Sequence, residues 1–362
     1  MNQTEVLLEF LRAGVLDRSP NIQHIESIDW ERLLVQSGKQ GVIAWVWDGI
    51  CKLPISQQPP RQQRINWGLS AQEIWGNYQK HCEVLKTMIA LCNDNNIRLL
   101  LLKGIGLSRL YPKPQSRPCG DIDIYLFDDY YKGNRVFTGH DVERIDKHAT
   151  FIFNNLLVEN HYFFLEPNTR QMRSINRYLE STLNDVCLTE GGYYTFSTIA
   201  DFVFLTMHTL KHFRETKMVQ YRNVMDFGMF LYRNSGKLQP SLCFDVLSSL
   251  NLVKGCEMLV YLSEKILGID LQEYHFHQIP KDDVEQIKDT YLIENGDIEE
   301  KRSRSDLKKQ YRCVWRYVPR YLSYYVIAKA RLSLIIRSLF RIPASMSIAP
   351  WFYQQIIHKN NL

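Results

Sequence analysis

The sequence predicts an α+β fold, in which a small mixed β-sheet is flanked along the chain by helical regions. Apolar residues recur at helical spacing before about residue 97 and again after about residue 166. Between these regions lie two apolar runs and a pair of strand-like segments joined by Asn154 and Asn155. A short Asn-rich connection of this kind favours a β-hairpin.

The N-terminal region, residues 1–97, is predicted to be helical with a proline-rich break. Asp29 is a suitable N-cap for a helix that runs towards Trp47. The break at 54–60 contains three prolines, and the amphipathic pattern after it predicts a long helix over about 62–93.

The remaining chain is predicted to form three further regions. These are an α/β core over 98–165, a helical region over 166–295 that completes a cleft, and a basic, aromatic helical tail over 296–362. Helices are expected within the second of them over about 168–184, 197–213, 219–232 and 243–267.

The second apolar run of the core carries Asp121 and Asp123, separated by Ile122. Because side chains alternate between the faces of a strand, both carboxylates point the same way. Two like charges this close are unfavourable unless a cation lies between them. Mg²⁺ suits such a site, and paired metals are typical of phosphoryl or nucleotidyl transfer. The alternative is a solvated strand end without a ligand.

Composition is that of an ordinary globular protein of 362 residues, with 45% hydrophobic and 23% charged residues. The first residues lack the pattern of a signal peptide, and no apolar run approaches the length of a membrane span. Eight scattered cysteines without a Cys-x-x-Cys pair favour reduced thiols and a cytoplasmic location.

Positive charge is concentrated near the C-terminus. Residues 301–341 contain 12 Lys or Arg and one acid, although the net charge of the whole chain is only +5. Such a segment could bind nucleic acid or an anionic membrane. A helix that packs its aromatic side on the body and exposes its basic side is the commoner explanation, and we favour it.

The core segment contains a Lys-Gly turn, a Leu-Tyr-Pro and a Gly-Asp-Ile-Asp, in the order LLLLKGIGLSRLYPKPQSRPCGDIDIY from Leu99 to Tyr125. It resembles a branch of uncharacterised bacterial nucleotidyltransferases within the DNA polymerase β-like nucleotidyltransferase superfamily. The likeness is strongest from about Leu99 to His161 and extends more weakly to about Leu231. It implies Mg²⁺- or Mn²⁺-dependent transfer of a nucleoside monophosphate from a triphosphate such as ATP to an acceptor hydroxyl or phosphate, with release of pyrophosphate.

The resemblance also implies a third carboxylate on a neighbouring strand. Glu159, two residues before His161, matches it, and the strand pattern places both residues opposite Val158. Asp121, Asp123 and Glu159 would then be the metal ligands, and Glu159 could activate the acceptor oxygen. An ordinary exposed strand position is the alternative for Glu159.

Nucleotide-binding roles are implied for residues around the glycine turn, namely Lys103, Gly104, Gly106, Arg117 and Gly120. The wider superfamily has Gly-Ser or Gly-Gly before its helix, so the phosphate-binding hydroxyl is absent at Gly104, and Ser108 lies too far along to replace it. Lys103 and the turn amides would bind phosphate instead. Arg117 is a phosphate clamp, a partner of the aspartates or an unrelated surface arginine.

Contacts with the acceptor or phosphate are implied for a further set of residues: His161, His208, Lys211, His212, Arg222 and Asp226. In this interpretation Asp226 orients the basic groups, whereas helix-packing contacts are an equally good explanation. His208 and His212 have a spacing that could suit a metal, but the glutamate of a His-Glu-x-x-His motif is missing.

Two other classes of function remain open at this level. One is a nucleotide-binding protein of the same fold without turnover, and the other is an interaction protein that uses its basic tail. The sequence also predicts that replacing Asp121 and Asp123 by Asn leaves metal-free stability unchanged or higher, because a repulsive pair is removed.

Overall fold

The computed structural model describes residues 1–145, 147–215, 220–293 and 316–317 of the chain. These residues belong to one compact unit. The basic segment 301–341, its aromatic stripe and the boundary at 296 lie outside the described residues, apart from Arg316 and Tyr317. The division of the chain into four regions stays a prediction.

The α+β class is confirmed, because helices surround a mixed sheet. Within the described residues the helices are α1 (Gln3–Val15), α2 (Trp30–Gln40), α3 (Ile43–Ile50), α4 (Arg61–Asp94), α5 (Tyr130–Thr138), α6 (Arg170–Ser181), α7 (Thr198–Glu215), α8 (Tyr221–Asn234), α9 (Pro240–Ser249), α10 (Val253–Leu267) and α11 (Lys281–Ile293). The strands there are β1 (Leu100–Leu101), β2 (Asp121–Tyr125), β3 (Arg144–Ile145), β4 (His148–Phe153), β5 (Leu156–His161), β6 (Cys187–Leu188) and β7 (Tyr194–Thr195).

The N-terminal helices follow the sequence signals with one difference. Asp29 caps α2 as predicted, since its side chain accepts a hydrogen bond from the backbone of Arg32 at 3.0 Å. The helix does not continue to Trp47, because Gly41 adopts a left-handed conformation (φ 66°) and ends it. The long helix α4 lies within one residue of its predicted bounds at either end.

The strands lie in the order β3-β4-β5-β2-β1-β7-β6. β2 runs parallel to β5, with Asp123 beside Glu159, and β4 pairs antiparallel with β5. Asn154 and Asn155 connect β4 to β5 and both have positive φ, 48° and 61°, as a tight two-residue hairpin turn requires. The predicted hairpin is therefore the observed one.

The two faces of the sheet centre have different chemistry. Ile122, Ile124 and Val158 belong to an apolar core with side chains from α4 and α5. Asp121, Asp123 and Glu159 alternate with these residues and so lie on the other face. Burying the apolar face fixes the register, because a slip by one residue would turn the carboxylates into the core.

Among the helices in the described part of the chain, none combines the length and the apolarity that crossing a bilayer requires.

Asp201, in the first turn of α7, provides a test of electrostatics in the helical region. Its side chain is buried, and Arg109 Nη2 lies 3.6 Å from its carboxylate. Burial raises the pKa of Asp201 to about 7, and the charge of Arg109 offsets this only in part. Between about pH 4 and pH 7 the folded protein therefore binds more protons at this group than the unfolded chain does, and stability falls as pH rises.

Asp201→Asn is accordingly expected to raise the free energy of unfolding by about 2–4 kcal/mol above pH ~8 and to leave it unchanged near pH ~4. Urea denaturation at the two pH values measures this difference. Asp185→Asn, at an exposed position, is the matched control. A gain that is equal at both pH values would contradict the assignment.

Candidate active site

Three carboxylates converge on one face of the sheet. Asp121 and Asp123 project from β2 and Glu159 from β5, and one oxygen from each lies within 4.8 Å of the others. The Asp123 side chain is fully buried, whereas those of Asp121 and Glu159 are 31% and 20% exposed. The sequence-predicted face and register therefore bring the three acids together.

Lys103 is the counter-ion of these carboxylates. Its Nζ lies 2.8 Å from Asp123 Oδ2 and 3.8 Å from Asp121 Oδ2. The next residue, Gly104, has φ 64°, and a Cβ there would lie 3.1 Å from the carbonyl oxygen of Asp121. Glycine thus allows the turn to approach β2 closely, and this approach places Lys103 over the acids.

His161 connects two of the acids from β5. Its side chain is fully buried, and its Nε2 lies 3.0 Å from Asp123 Oδ1 and 3.5 Å from Glu159 Oε2. On the other side of the ring, Nδ1 lies 3.4 Å from Lys147 Nζ and 3.3 Å from the carbonyl oxygen of Phe163. His161 therefore contacts Asp123 and Glu159, which are two of the three predicted metal ligands.

The pKa values of the acids move in opposite directions. Burial and the nearby charge of Asp123 raise the pKa of Asp121. Burial acts the same way on Asp123, but Lys103 and His161 outweigh it and hold its pKa well below the usual range. Burial also acts to raise the pKa of Glu159, but the hydrogen bond from His161 and the charges of His148 and Lys103 together outweigh it, so this pKa is lowered. Asp123 and Glu159 are therefore charged at neutral pH, as a metal site requires.

A cavity of about 180 Å³ lies beside Asp121. One side of it is formed by the glycine turn and the segment before β2, and the other by α7 and α8. Its lining includes most of the sequence-predicted residues: Lys103, Gly104, Arg117, Gly120, Asp121, His208, His212, Arg222 and Asp226. Gly106 packs against Leu101 instead, and Lys211 donates a hydrogen bond to Glu166 at 3.1 Å.

Arg117 and Asp226 form a buried ion pair across this cavity. Arg117 Nε and Nη2 donate to the two carboxylate oxygens of Asp226 at 2.9 and 2.7 Å. The hydroxyl of Tyr111 donates to Asp226 at 2.8 Å. Arg117 is only 6% exposed, so its interpretation as a surface arginine is wrong. Asp226 pairs with Arg117 rather than orienting Lys211, which has its own partner.

The two histidines of α7 are neutral hydrogen-bonding groups. Their Nε2 atoms lie 3.0 Å apart, so one ring donates to the other. Burial lowers the pKa of His212 to about 4 and holds that of His208 well below its usual range. Positive charge at the cavity therefore comes from Lys103, Arg222 and the paired Arg117.

Ser108 is buried close to Cys119. It is 1% exposed, and its Oγ lies 3.9 Å from the sulfur of Cys119. This position supports the expectation that Ser108 does not replace a serine at Gly104, which stays a prediction.

Sequence reasoning missed two residues, Lys147 and His148. In a two-residue hairpin the residues on either side of the turn pair with each other, and the pairing then continues outward one residue at a time on each strand. With Asn154–Asn155 as the turn, this pairing sets His148 opposite His161. The dipeptide that predicts the hairpin therefore also contains the signal that places His148 beside His161.

Comparison with known proteins identifies a family. A family model described as an uncharacterised nucleotidyltransferase matches residues 26–268, about two thirds of the chain. No curated protein and no solved structure matches. The matched segment includes the three carboxylates, the glycine turn and both helices of the cavity. This chain therefore belongs to the uncharacterised nucleotidyltransferase family.

Proposed function

We propose that this protein is a Mg²⁺-dependent nucleotidyltransferase that moves a nucleoside monophosphate from a nucleoside triphosphate to an acceptor and releases pyrophosphate. The observation that carries the proposal is the convergence of three carboxylates within 4.8 Å beside a cavity lined by cationic side chains. Negative oxygen ligands next to positive groups suit a metal-bound triphosphate.

The donor set fits a hard divalent cation. Asp121, Asp123 and Glu159 offer only carboxylate oxygens, which are the ligands that Mg²⁺ prefers. Among the described ion pairs, Lys103 is the one partner of the buried Oδ2 of Asp123. These three residues would hold the ion. Once bound, it would neutralise phosphate charge and stabilise the transfer.

The chain's own groups would position the reacting atoms. Lys103 would move from Asp123 to the phosphate oxygens, and Arg222 and the turn amides would bind the remaining phosphate charge. Glu159 would accept the proton of an acceptor hydroxyl while the oxygen of that hydroxyl bonds to the α-phosphorus of the nucleotide. The bond from that phosphorus to pyrophosphate breaks in line.

The cavity is smaller than typical sites for whole drug-sized ligands, which are about 300–1,000 Å³. At about 180 Å³ it accommodates the phosphate end of the nucleotide or the reacting end of the acceptor. His208 and His212, being neutral, would hydrogen-bond the acceptor rather than neutralise phosphate.

Lys103→Met gives a test in which two affinities move in opposite directions. Without the competing ammonium, the metal alone should bind more tightly, by about tenfold. The nucleoside triphosphate should bind more weakly, also by about tenfold or more, because a phosphate contact is lost. Isothermal titration with Mn²⁺ and then with the nucleotide complex measures both, and Lys132→Met at an exposed position is the control. Weakening of both affinities would contradict the two-position role of Lys103.

The function itself is tested by titrating the full chain with each of the four nucleoside triphosphates, with and without Mg²⁺, and by measuring pyrophosphate release with a panel of acceptors. We expect Mg²⁺-dependent binding and acceptor-dependent release. Binding without release from any acceptor would favour the alternative of a nucleotide-binding protein without turnover. No Mg²⁺-dependent binding would contradict the proposal.

The remaining expectations on partners and location stay proposals as well. The cysteines within the described residues are free thiols, which supports a reducing cytoplasmic compartment. Binding of nucleic acid or an anionic membrane by segment 301–341 stays an alternative, and we favour the explanation that this segment packs on the body of the protein.

A further inference from the structure

We propose that His148, Glu159 and His161 form a second cation site, which binds one transition-metal ion of the Zn²⁺ and Co²⁺ type. This second site shares Glu159 with the proposed Mg²⁺ site, but the transfer reaction does not require an ion at the second site. The three residues each offer one ligand atom, and these atoms all lie within 4.8 Å of one another.

The sheet register brings these residues together. His148 of β4 is paired with His161 of β5, and Glu159 lies two residues before His161 on the same face. His148 Nε2 lies 3.4 Å from Glu159 Oε1, and His161 Nε2 lies 3.5 Å from Glu159 Oε2. The two imidazoles thus flank one carboxylate and face different oxygens. The side chains of His148 and Glu159 are 20% exposed, which gives an ion access from solvent.

The ligand chemistry separates this site from its neighbour. Two imidazole nitrogens and one carboxylate form the three-ligand set common in zinc sites that keep an open position. Imidazole suits Zn²⁺, Co²⁺ and related ions, whereas Mg²⁺ takes oxygen ligands. The set of Asp121, Asp123 and Glu159 contains only oxygen donors. Glu159 is a member of both ligand sets, so the two sites would share this carboxylate.

The ring of His148 can accept an ion without losing a short hydrogen bond. Its Nδ1 is buried and has no hydrogen-bond partner among the described residues. Its Nε2 makes only the 3.4 Å contact with Glu159, which is longer than an ordinary hydrogen bond. An ion bound at Nε2 would therefore displace no short hydrogen bond of this ring among the described residues.

The surroundings of His161 permit it to change partner. Without an ion, its Nε2–H donates to Asp123 and its Nδ1 accepts from Lys147 at 3.4 Å. An ion at Nε2 leaves the proton on Nδ1, which lies 3.3 Å from the carbonyl oxygen of Phe163. Metal-bound imidazoles commonly donate their other N–H to such a carbonyl. The hydrogen bond to Asp123 and the long contact with Lys147 are both given up, and Asp123 keeps its ion pair with Lys103.

The test is a titration of the full chain with Co²⁺, followed by visible absorption in the presence of excess Mg²⁺. We expect one Co²⁺ per chain with the intense bands of a four- or five-coordinate ion. His148→Gln should lower the Co²⁺ affinity by about tenfold or more, while His140→Gln, at an exposed position, should not change it. Asp121→Asn should keep Co²⁺ binding but weaken Mg²⁺-dependent nucleotide binding, which separates the two sites.

A second measurement uses the unmodified protein, so that it holds even if a variant fails to fold. Pulsed electron paramagnetic resonance of bound Cu²⁺ should show coupling to nitrogens of two imidazole rings. Equal Co²⁺ affinity in wild type and His148→Gln, or bound Cu²⁺ without imidazole couplings, would overturn the proposal. If the unmodified protein binds Co²⁺ in this way but shows no Mg²⁺-dependent nucleotide binding, the proposed function is overturned and this site stands.

Discussion

Replacing Asp121 and Asp123 together by Asn is expected to abolish Mg²⁺-dependent binding of nucleoside triphosphates. The change removes two of three carboxylates that lie within 4.8 Å of one another, and the amides that replace them are poor ligands for a hard cation. Isothermal titration should show a loss of affinity of about a hundredfold or more. Asp128→Asn, an exposed aspartate just beyond the same strand, should bind as the wild type does.

We expect this double variant to be less stable than the wild type, whereas the sequence alone predicts unchanged or higher stability. Lys103 is only 15% exposed and is paired with Asp123, so removing both acids leaves its charge largely buried without a partner. Loss of that pair outweighs relief of the repulsion between the aspartates, and we expect the metal-free variant to lose about 1–3 kcal/mol. Urea denaturation without metal measures this, and a gain in stability would contradict the role of Lys103 as counter-ion.

Glu159→Gln is expected to lower the rate of pyrophosphate release by about 10²–10⁴-fold, the usual cost of losing a general base. Nucleotide binding should weaken but persist, because Asp121 and Asp123 still hold an ion. Single-turnover kinetics and titration calorimetry separate the two effects. Glu143→Gln, at an exposed position, is the matched control.

Two outcomes would contradict this assignment of Glu159. Release at nearly the wild-type rate would show that Glu159 neither holds the metal nor accepts a proton. Loss of binding as complete as in the double aspartate variant would contradict the expectation that Asp121 and Asp123 hold the ion without Glu159.

Local rules predicted the parts of this site that depend on neighbouring residues. Alternation along a strand placed Asp121 and Asp123 on one face, and the Asn154–Asn155 turn set the hairpin that carries Glu159. The register between β2 and β5 followed because their alternate residues are buried in the apolar core.

Features that depend on tertiary packing could not be predicted in the same way. Arg117 and Asp226 are 109 residues apart in sequence, and nothing local indicates that α8 brings them together. The neutral state of His208 and His212 depends on burial by other segments. The placement of Lys103 over the acids depends on how closely the left-handed turn at Gly104 approaches β2.

The most direct test of the proposed metal site is diffraction from crystals grown with Mn²⁺ and a non-hydrolysable nucleoside triphosphate, with anomalous scattering used to locate the ion. We expect the ion at about 2.0–2.2 Å from oxygens of Asp121, Asp123 and Glu159. Lys103 Nζ should then lie on a phosphate oxygen instead of Asp123. A bound nucleotide with no ion at these carboxylates, and with Lys103 still paired to Asp123, would contradict the account.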